Sequence, residues 1–108
     1  MKSAILYTRG NDMENIKIYE LTTRYDTRKS FGHKAIVHTD GNNSVLYSYE
    51  TPVARITDGK VELSPSWDYG DTTVRHVREY LRQEGKLPTT IEGAEKSVIA
   101  ELFPVVSF

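Results

Sequence analysis

Three arginines on one side of a predicted helix are the first side chains in this sequence that could do chemistry. The stretch DYGDTTVRHVREYLRQEG, residues 68–85, places Arg75, Arg78 and Arg82 at spacings of three and four. Guanidinium groups along one face repel one another unless an acidic group meets them, so they could bind an anion or an acidic partner. In the alternative interpretation they form a solvated flank, and the methylene stems of Arg78 and Arg82 cover the edge of the core.

The histidines and carboxylates of the sequence match no known catalytic or metal-binding pattern. The chain lacks a Gly-rich phosphate loop, the HExxH and GxSxG motifs, and any cysteine. His33 and His38 lie five apart on a predicted strand, which points them to opposite faces and prevents them from holding one metal ion. His76 is expected to be exposed, and an acid–base site with Asp68 or Asp71 is the catalytic alternative. We therefore predict a protein that is not an enzyme, with no catalytic residues, metal or cofactor.

A second group of basic residues occurs in LTTRYDTRKSFGHKA, residues 21–35, where it alternates with aromatic residues. The segment contains the single acid Asp26 and five basic residues: Arg24, Arg28, Lys29, His33 and Lys34. The candidate binding residues among them are Arg24, Arg28 and Lys29. Cations that follow phosphates, together with rings that stack on bases, are what a groove for single-stranded nucleic acid requires. The same mixture occurs in plain surface loops and in protein interfaces. All three interpretations stay open at the level of sequence.

The elements that must position these residues are strands, followed by helices. In PVARITDGKVELS, Asp58-Gly59 is a dipeptide favoured in a two-residue type I′ turn. This turn predicts an antiparallel hairpin with one apolar face and one wet face. The predicted pairs are Thr57 with Lys60, Ile56 with Val61, Arg55 with Glu62, and Ala54 with Leu63.

Upstream, KAIVHTDGNNSVLYSYE predicts another hairpin, with its turn within residues 40–43. Two loop lengths are possible there and would bury different faces, so the register of this hairpin stays open. Pro52 lacks an amide donor and is expected at a corner or edge between the two hairpins. The chain then leaves the sheet through the turn-rich segment SPSWDYG, which carries Trp67 and Tyr69. Aromatic residues of these types are enriched at binding hot spots, so both are candidate contacts for a partner.

Two helices are predicted after the strands. The first covers residues 72–84, with Asp71 or Thr72 as its N-cap and Gly85 at its end. Its apolar stripe should lie on the sheet and consists of Val74, Val77 and Leu81, with Tyr80 at the margin.

The second predicted helix covers residues 90–103, with Thr89 and Glu92 in capping-box spacing. The final PVVSF is either an edge strand or a packed tail. Together these elements predict an α+β fold, in which a small antiparallel sheet of four to five strands carries both helices on one face. The predicted buried stripe of the second helix is Ile91, Ala94, Val98 and Leu102.

Length and composition limit the classes of protein that fit. With 108 residues the chain is predicted to be a single domain, residues 1–108. The formal net charge of -1 disfavours a bulk polyanion binder and leaves room only for a local basic patch. No apolar run approaches the roughly 20 residues that span a bilayer, so membrane embedding is not expected. Absence of cysteine favours a reducing compartment.

Three sequence strings resemble a family of short, uncharacterised proteins from bacteriophages and mobile elements of Gram-positive bacteria. They are RKSFGHKA, LYSYETPVARITDGK and YGDTTVRHVREYLRQEG. The most specific part is the pattern SYxTxVAxI, followed by GK and then by TTxRH. The resemblance spans roughly residues 16–85 and implies a phage origin. It also suggests that the body of the domain begins near Met13, which makes residues 1–12 an N-terminal extension whose apolar run AILY adds an edge strand.

A phage origin leads to a functional hypothesis. Short phage accessory proteins often act by stoichiometric binding to a host protein, including CRISPR effectors and other defence systems, and they do so in the host cytoplasm. The alternative is a small nucleic-acid-binding accessory protein that uses the basic helix face and loop. The candidate partner-binding residues are Arg24, Arg28, Lys29, Trp67, Tyr69, Arg75, His76, Arg78 and Arg82.

Overall fold

The computed structural model describes residues 16–90 and 94–108. It shows an α+β arrangement, in which a five-stranded antiparallel sheet precedes two helices, as the sequence predicted. The strands are β1 (Lys17–Glu20), β2 (Ala35–Thr39), β3 (Ser44–Ser48), β4 (Thr51–Thr57) and β5 (Lys60–Leu63). The helices are α1 (Asp71–Gln83) and α2 (Lys96–Leu102).

Each strand pairs with the next one along the chain, so the sheet order is β1-β2-β3-β4-β5. The β4–β5 hairpin has the predicted register, from Thr57 opposite Lys60 to Ala54 opposite Leu63. Its turn is of the I′ kind, because Asp58 and Gly59 both have positive φ angles, 53° and 80°. Local turn chemistry and the alternation of apolar residues agree here, which is why this register could be read from the sequence.

The β2–β3 connection also lies where it was predicted, at residues 40–43. The β3–β4 connection differs from the expectation. It is a two-residue turn, Tyr49-Glu50, and Pro52 lies within β4 opposite Tyr47 rather than at a corner. The strand pairing shifts between Leu46 and Tyr47, so the proline sits beside an irregularity in the ladder. An irregular position tolerates a residue that has no amide donor.

The core lies between one face of the sheet and helix α1. Alternate residues of β2 to β5 point into it and are almost fully buried, and α1 contributes the predicted stripe. Tyr80 is fully buried rather than marginal, and a hydrogen bond joins its hydroxyl to that of Ser44 on β3. The core includes Ala35, Val37, Leu46, Ala54, Ile56, Val61 and Leu63 from the sheet, and Val74, Val77, Tyr80 and Leu81 from α1.

Both ends of α1 are set by backbone contacts. The helix begins at Asp71 after Gly70, whose carbonyl accepts the amide of Val74 at 3.0 Å. No side-chain cap forms there, so the prediction that Asp71 or Thr72 caps the helix was wrong. Gly85 has a φ of 75°, the left-handed conformation predicted for the residue that ends this helix.

The second helix is shorter than predicted. It covers Lys96–Leu102 rather than residues 90–103, and residues 91–93 lie outside the described part of the chain. Ile99 is its fully buried residue, whereas Leu102 is 56% exposed. Of the predicted stripe, Ala94 is fully buried as expected and Val98 is half-buried, whereas the prediction for Leu102 was wrong. Ile91 lies outside the described residues.

Of the two ends of the chain, the structure describes the C-terminal one. The predicted extension, residues 1–12, lies outside the described residues, and its role stays a prediction. At the other end, Val105 forms an isolated parallel bridge with Leu63 of β5, so PVVSF lies beside the sheet edge without forming a full strand. No helix among residues 16–90 and 94–108 combines the length and apolar character needed to cross a membrane.

Candidate functional site

The three arginines of α1 already have partners within the chain. Arg75 donates from Nη1 to the carboxylate of Asp26 at 2.8 Å. Arg78 donates from Nε to the carbonyl of Ala94 at 2.6 Å. Burial and the neighbouring charge of Arg82 lower the pKa of Arg78 from its usual value. Asp26 and Ala94 are thus the hydrogen-bond acceptors of these two guanidinium groups, which the sequence alone did not identify.

Arg82 is buried rather than solvated. Its side chain donates to the carbonyls of Pro88 at 3.2 Å and Thr90 at 3.1 Å. Because the residue is only 8% exposed, the solvated-flank interpretation was wrong for it. Guanidinium groups present several donors in a fixed plane, which suits them to hold two carbonyls of one irregular segment. Arg82 thus fastens the connection between the two helices.

Glu79 holds the segment that carries the exposed cations, residues 22–34, which we call the basic loop. Its carboxylate is fully buried and accepts the amides of Arg24 at 2.8 Å, Tyr25 at 3.1 Å and Asp26 at 2.9 Å. Gln83, one turn further along α1, donates to the same carboxylate and to the carbonyl of Thr22. Three consecutive amides converging on one anion form a nest, a geometry that fixes the loop backbone.

The basic loop presents its cations to solvent. Arg24, Arg28 and Lys29 are exposed, and Tyr25 is 43% exposed beside them. Their backbones are fixed by hydrogen bonds, since Asp26 accepts the amide of Arg28 at 2.8 Å and the Lys29 carbonyl accepts the Thr23 hydroxyl at 2.9 Å. The three predicted loop residues are therefore exposed on one ordered loop, which the ion pair between Arg75 and Asp26 joins to α1.

The Tyr49-Glu50 turn lies next to the basic loop. Both residues adopt positive φ angles, 51° and 70°, which side chains with a Cβ atom rarely do. The amide of Tyr49 donates to the carbonyl of Lys34 at 2.9 Å, and the Lys34 ammonium lies 5.9 Å from the centre of the Tyr49 ring. A cavity of about 540 Å³ opens here, lined by His33, Lys34, Ile36, His38, Tyr47, Tyr49 and Glu50.

His33 and His38 line this cavity together, although the sequence placed them on opposite faces of one strand. Strand β2 begins at Ala35, so His33 precedes it, in a turn with a φ of 65°. The Nδ1 atom of His33 lies 2.7 Å from the carboxylate of Glu20. The His33 ring is therefore directed toward this acid rather than toward His38. No group of three potential metal ligands forms among the described residues.

His76 lies beneath the Tyr49 ring and is fully buried, so its predicted exposure was wrong. Its Nδ1 shares a 2.8 Å hydrogen bond with the hydroxyl of Ser48, which also donates to Thr73 at 3.2 Å. Its Nε2 has no hydrogen-bond partner among the described residues. Burial, followed by the positive charge of Arg28, lowers the pKa of His76 to about 4, so the ring is neutral at pH 7.

The two aromatic candidates in the turn after β5 differ in their exposure to solvent. Trp67 is 4% exposed and belongs to the core, whereas Tyr69 is 90% exposed. Buried Trp67, His76 and Arg82 offer almost no surface to a partner, which corrects their assignment as partner contacts. Of the residues chosen from the sequence, those with exposed side chains are Arg24, Arg28, Lys29 and Tyr69.

Sequence reasoning missed Glu79, Ser48 and Tyr49. For Glu79, the sequence shows only an acid beside the apolar stripe of α1, with Arg75 one turn before it and Gln83 one turn after it. Nothing in the sequence indicates that three loop amides converge on it. Tyr49 was missed because its turn contains no glycine or asparagine, the residues by which type I′ turns are recognised.

Comparison with known proteins adds a family but no activity. No curated protein matches the chain, and no solved structure does. Residues 19–97, more than half of the chain, match a family model, and they contain the basic loop, the Tyr49-Glu50 turn and α1. The chain therefore belongs to the family described as "Family of unknown function (DUF8033)".

Proposed function

We propose that this protein is a small phage-type accessory protein that binds a host protein stoichiometrically in the host cytoplasm. The target class that we propose is a bacterial defence protein, such as a CRISPR effector. The observation that carries the binding role is the basic loop, whose backbone is held by the buried carboxylate of Glu79. The phage origin rests on the sequence patterns SYxTxVAxI and TTxRH.

Preorganisation of the loop supports a binding surface. A loop of this length loses conformational entropy when it binds, which weakens affinity unless the loop is already ordered. Here the nest around Glu79 and the ion pair between Arg75 and Asp26 fix the loop in the free protein. The backbone that carries Arg24, Arg28 and Lys29 is therefore ordered before binding, and only the side chains remain to be fixed by a partner.

Charge supports an acidic protein surface as the partner. The chain has a formal net charge of -1, so the basic loop is a local patch on a nearly neutral protein. Local complementarity of this kind steers association and selects partners, whereas bulk attraction to polyanions needs net positive charge. The half-exposed rings of Tyr25 and Tyr49 provide the aromatic contacts that dominate many protein interfaces.

Binding is a better proposal than catalysis for the Ser48–His76 pair. Ser48 is 3% exposed, and its hydroxyl is already hydrogen-bonded to both His76 and Thr73. A histidine with a pKa of about 4 is a weak base for activating a hydroxyl at neutral pH. The pair is better explained as the polar contact that joins β3 to α1.

A capture experiment tests the proposal. The tagged full-length chain is incubated with host lysate, with and without nuclease, and the captured protein is identified by mass spectrometry and then purified for titration. The test variant combines Arg24→Glu, Arg28→Glu and Lys29→Glu. Its control reverses three exposed lysines elsewhere, Lys17→Glu, Lys60→Glu and Lys96→Glu.

We expect one nuclease-resistant partner that binds at a fixed stoichiometry, is lost with the loop variant and is retained by the control. Equal capture by the wild type and the loop variant would contradict the proposal. Loss of capture with both triple variants would show that total charge, rather than this surface, governs binding.

Nucleic-acid binding is the second candidate, and the exposed rings beside the loop cations favour it. Tyr25 and Tyr49 could stack on bases while Arg24, Arg28 and Lys29 contact phosphates. This candidate is weakened because Arg78 and Arg82 each donate to backbone carbonyls within the chain, so these two cations are not free to contact phosphates. Three phosphate contacts predict a log–log salt slope of about -2 for a labelled single strand, measured by fluorescence anisotropy.

A further inference from the structure

A second cavity, of about 550 Å³, also borders Tyr49 and is not needed for the binding role proposed above. It lies between the Tyr49-Glu50 turn and the start of α1. This size is typical of small-molecule sites, which range from about 300 to 1,000 Å³. The residues that line it are Ser48, Tyr49, Thr51, Val53, Ser66, Tyr69, Gly70, Asp71, Thr72 and Thr73.

The lining combines two aromatic rings with several hydroxyl groups. Tyr49 is 52% exposed and Tyr69 is 90% exposed, so both rings have surface available for stacking. Five hydroxyl-bearing residues, serines or threonines, line the same cavity. No hydrogen bond joins the hydroxyls of Thr51, Ser66 and Thr72 to any other residue that the structure describes. These hydroxyls are therefore available to donate and accept hydrogen bonds.

The charge of the lining narrows the class of ligand. Asp71 is the single ionisable acid in the lining described here, and neither lysine nor arginine accompanies it. A phosphate would lie beside the full negative charge of Asp71, offset only by the partial positive charge at the start of α1 and by no lysine or arginine, which disfavours a strongly anionic group inside the cavity. A carboxylate instead accepts a hydrogen bond from an amino group. The ligand that fits is neutral, planar and rich in donors and acceptors.

We propose that this cavity binds a nucleobase together with its sugar, with a preference for bases that carry an exocyclic amino group. The flat face of the base stacks on tyrosine, a contact that every base can make, although purines stack more strongly than pyrimidines. The heteroatoms of the base and the hydroxyls of the sugar exchange hydrogen bonds with the serines and threonines. Asp71 accepts from the amino group of adenine or cytosine, which uracil lacks.

The nucleobase can come from a free nucleoside or from an unpaired position in a single strand. Tyr49 lines both this cavity and the one that contains Lys34, so a strand leaving the site would reach a cation there. Free nucleosides would gain nothing from Lys34. The two sources are therefore distinguishable by whether a flanking phosphate improves binding.

The test is a titration of the ¹⁵N-labelled full-length protein with adenosine, uridine and a short oligodeoxyadenylate, followed by NMR. We expect adenosine to shift the amide signals of Tyr49, Gly70 and Thr72 and to bind more tightly than uridine. Tyr69→Ala should weaken adenosine binding about ten-fold, in line with the loss of one stacked ring. Tyr25→Ala is the matched control, because Tyr25 is a half-exposed ring outside this cavity.

Two further comparisons complete the test. Asp71→Ala removes the acceptor for the amino group and should reduce the preference for adenosine over uridine while leaving uridine binding unchanged. Tighter, salt-sensitive binding of the oligonucleotide at the same amides identifies an unpaired base as the source, and equal affinity identifies a free nucleoside. Absence of shifts at the cavity amides with all three probes, or equal weakening by Tyr69→Ala and Tyr25→Ala, would overturn the proposal.

Discussion

Glu79 on α1 accepts the amide of Arg24 at 2.8 Å across 55 positions of sequence. Its second oxygen accepts the amide of Asp26, so one carboxylate anchors the basic loop, which follows β1 after Leu21. A basic loop without this anchor would need to order itself on each binding event. Through Glu79, α1 thus contributes to the stability of the domain and orders the exposed basic loop before a partner binds.

Replacing Glu79 with glutamine should destabilise the fold by about 2–4 kcal/mol, because a neutral amide is a weaker acceptor and places an NH₂ group near backbone donors. Urea denaturation followed by circular dichroism measures this change. The control is Glu84→Gln, an exposed acid just after the same helix, which should alter stability by less than about 0.5 kcal/mol. Equal stability of the two variants would show that the nest contributes little.

Replacing Arg82 with lysine should cost about 1–3 kcal/mol, because a lysine cannot reproduce the planar donors that hold Pro88 and Thr90. Thermal unfolding should show a lower Tm. Arg24→Lys, which keeps an exposed positive charge, should leave the Tm unchanged. If Arg82 lay on a solvated flank, lysine would be tolerated at position 82 as well as at position 24. An unchanged Tm for Arg82→Lys would therefore contradict the prediction.

Glycine at position 50 should stabilise the protein by about 1 kcal/mol, because it relieves the left-handed conformation of Glu50. The reciprocal change, Gly59→Ala in the other two-residue turn, should destabilise by a similar amount, since Gly59 has a φ of +80° and nothing nearby that would contact a new Cβ. Guanidinium denaturation of both variants checks the pair. Destabilisation by Glu50→Gly would mean that the side chain makes contacts that outweigh the strain.

Acid should weaken the fold through His76. Its folded-state pKa of about 4 lies below the unfolded value near 6.5, so the unfolded chain binds the proton more tightly. Stability from this group is therefore complete above about pH 6.5 and falls as the pH drops toward 4, by up to about 3 kcal/mol. Denaturation midpoints between pH 4 and pH 7 measure the slope.

The matched variants for this pH dependence are His76→Gln and His33→Gln. His76→Gln removes the buried titrating ring and should flatten the pH profile, although it lowers stability at pH 7. His33 is on the surface, with a side chain 85% exposed, so His33→Gln should keep the steep profile of the wild type. A profile of unchanged steepness in His76→Gln would assign the acid sensitivity to the carboxylates instead.

The sheet was predictable where local chemistry determined it. Asp58-Gly59 specified both the turn and the register of the last hairpin, and the apolar alternation specified its buried face. The Tyr49-Glu50 turn was not predictable, because it adopts a strained form that turn-residue preferences argue against. The second helix was displaced because helical periodicity alone does not fix where a helix starts.

The candidate site was predictable only in part. The basic loop was recognised by its composition, and its cations are exposed as a binding surface requires. The roles of Arg78 and Arg82 could not be read from the sequence, because their acceptors are backbone carbonyls of a segment whose path depends on tertiary packing. Burial of His76 was missed for the same reason, since its partner Ser48 lies 28 positions away on another element.

The contact between Leu63 and the end of the chain protects an edge of the sheet. The amide of Leu63 donates to the carbonyl of Pro104 at 2.9 Å, and its carbonyl accepts the amide of Val106 at 2.8 Å. Unpaired edge groups are templates for intermolecular strand pairing and aggregation. Pairing with Pro104 and Val106 therefore occupies the edge groups of β5 at Leu63, where a strand of another molecule would otherwise pair. A tag fused after Phe108 should include a linker long enough to leave this pairing intact.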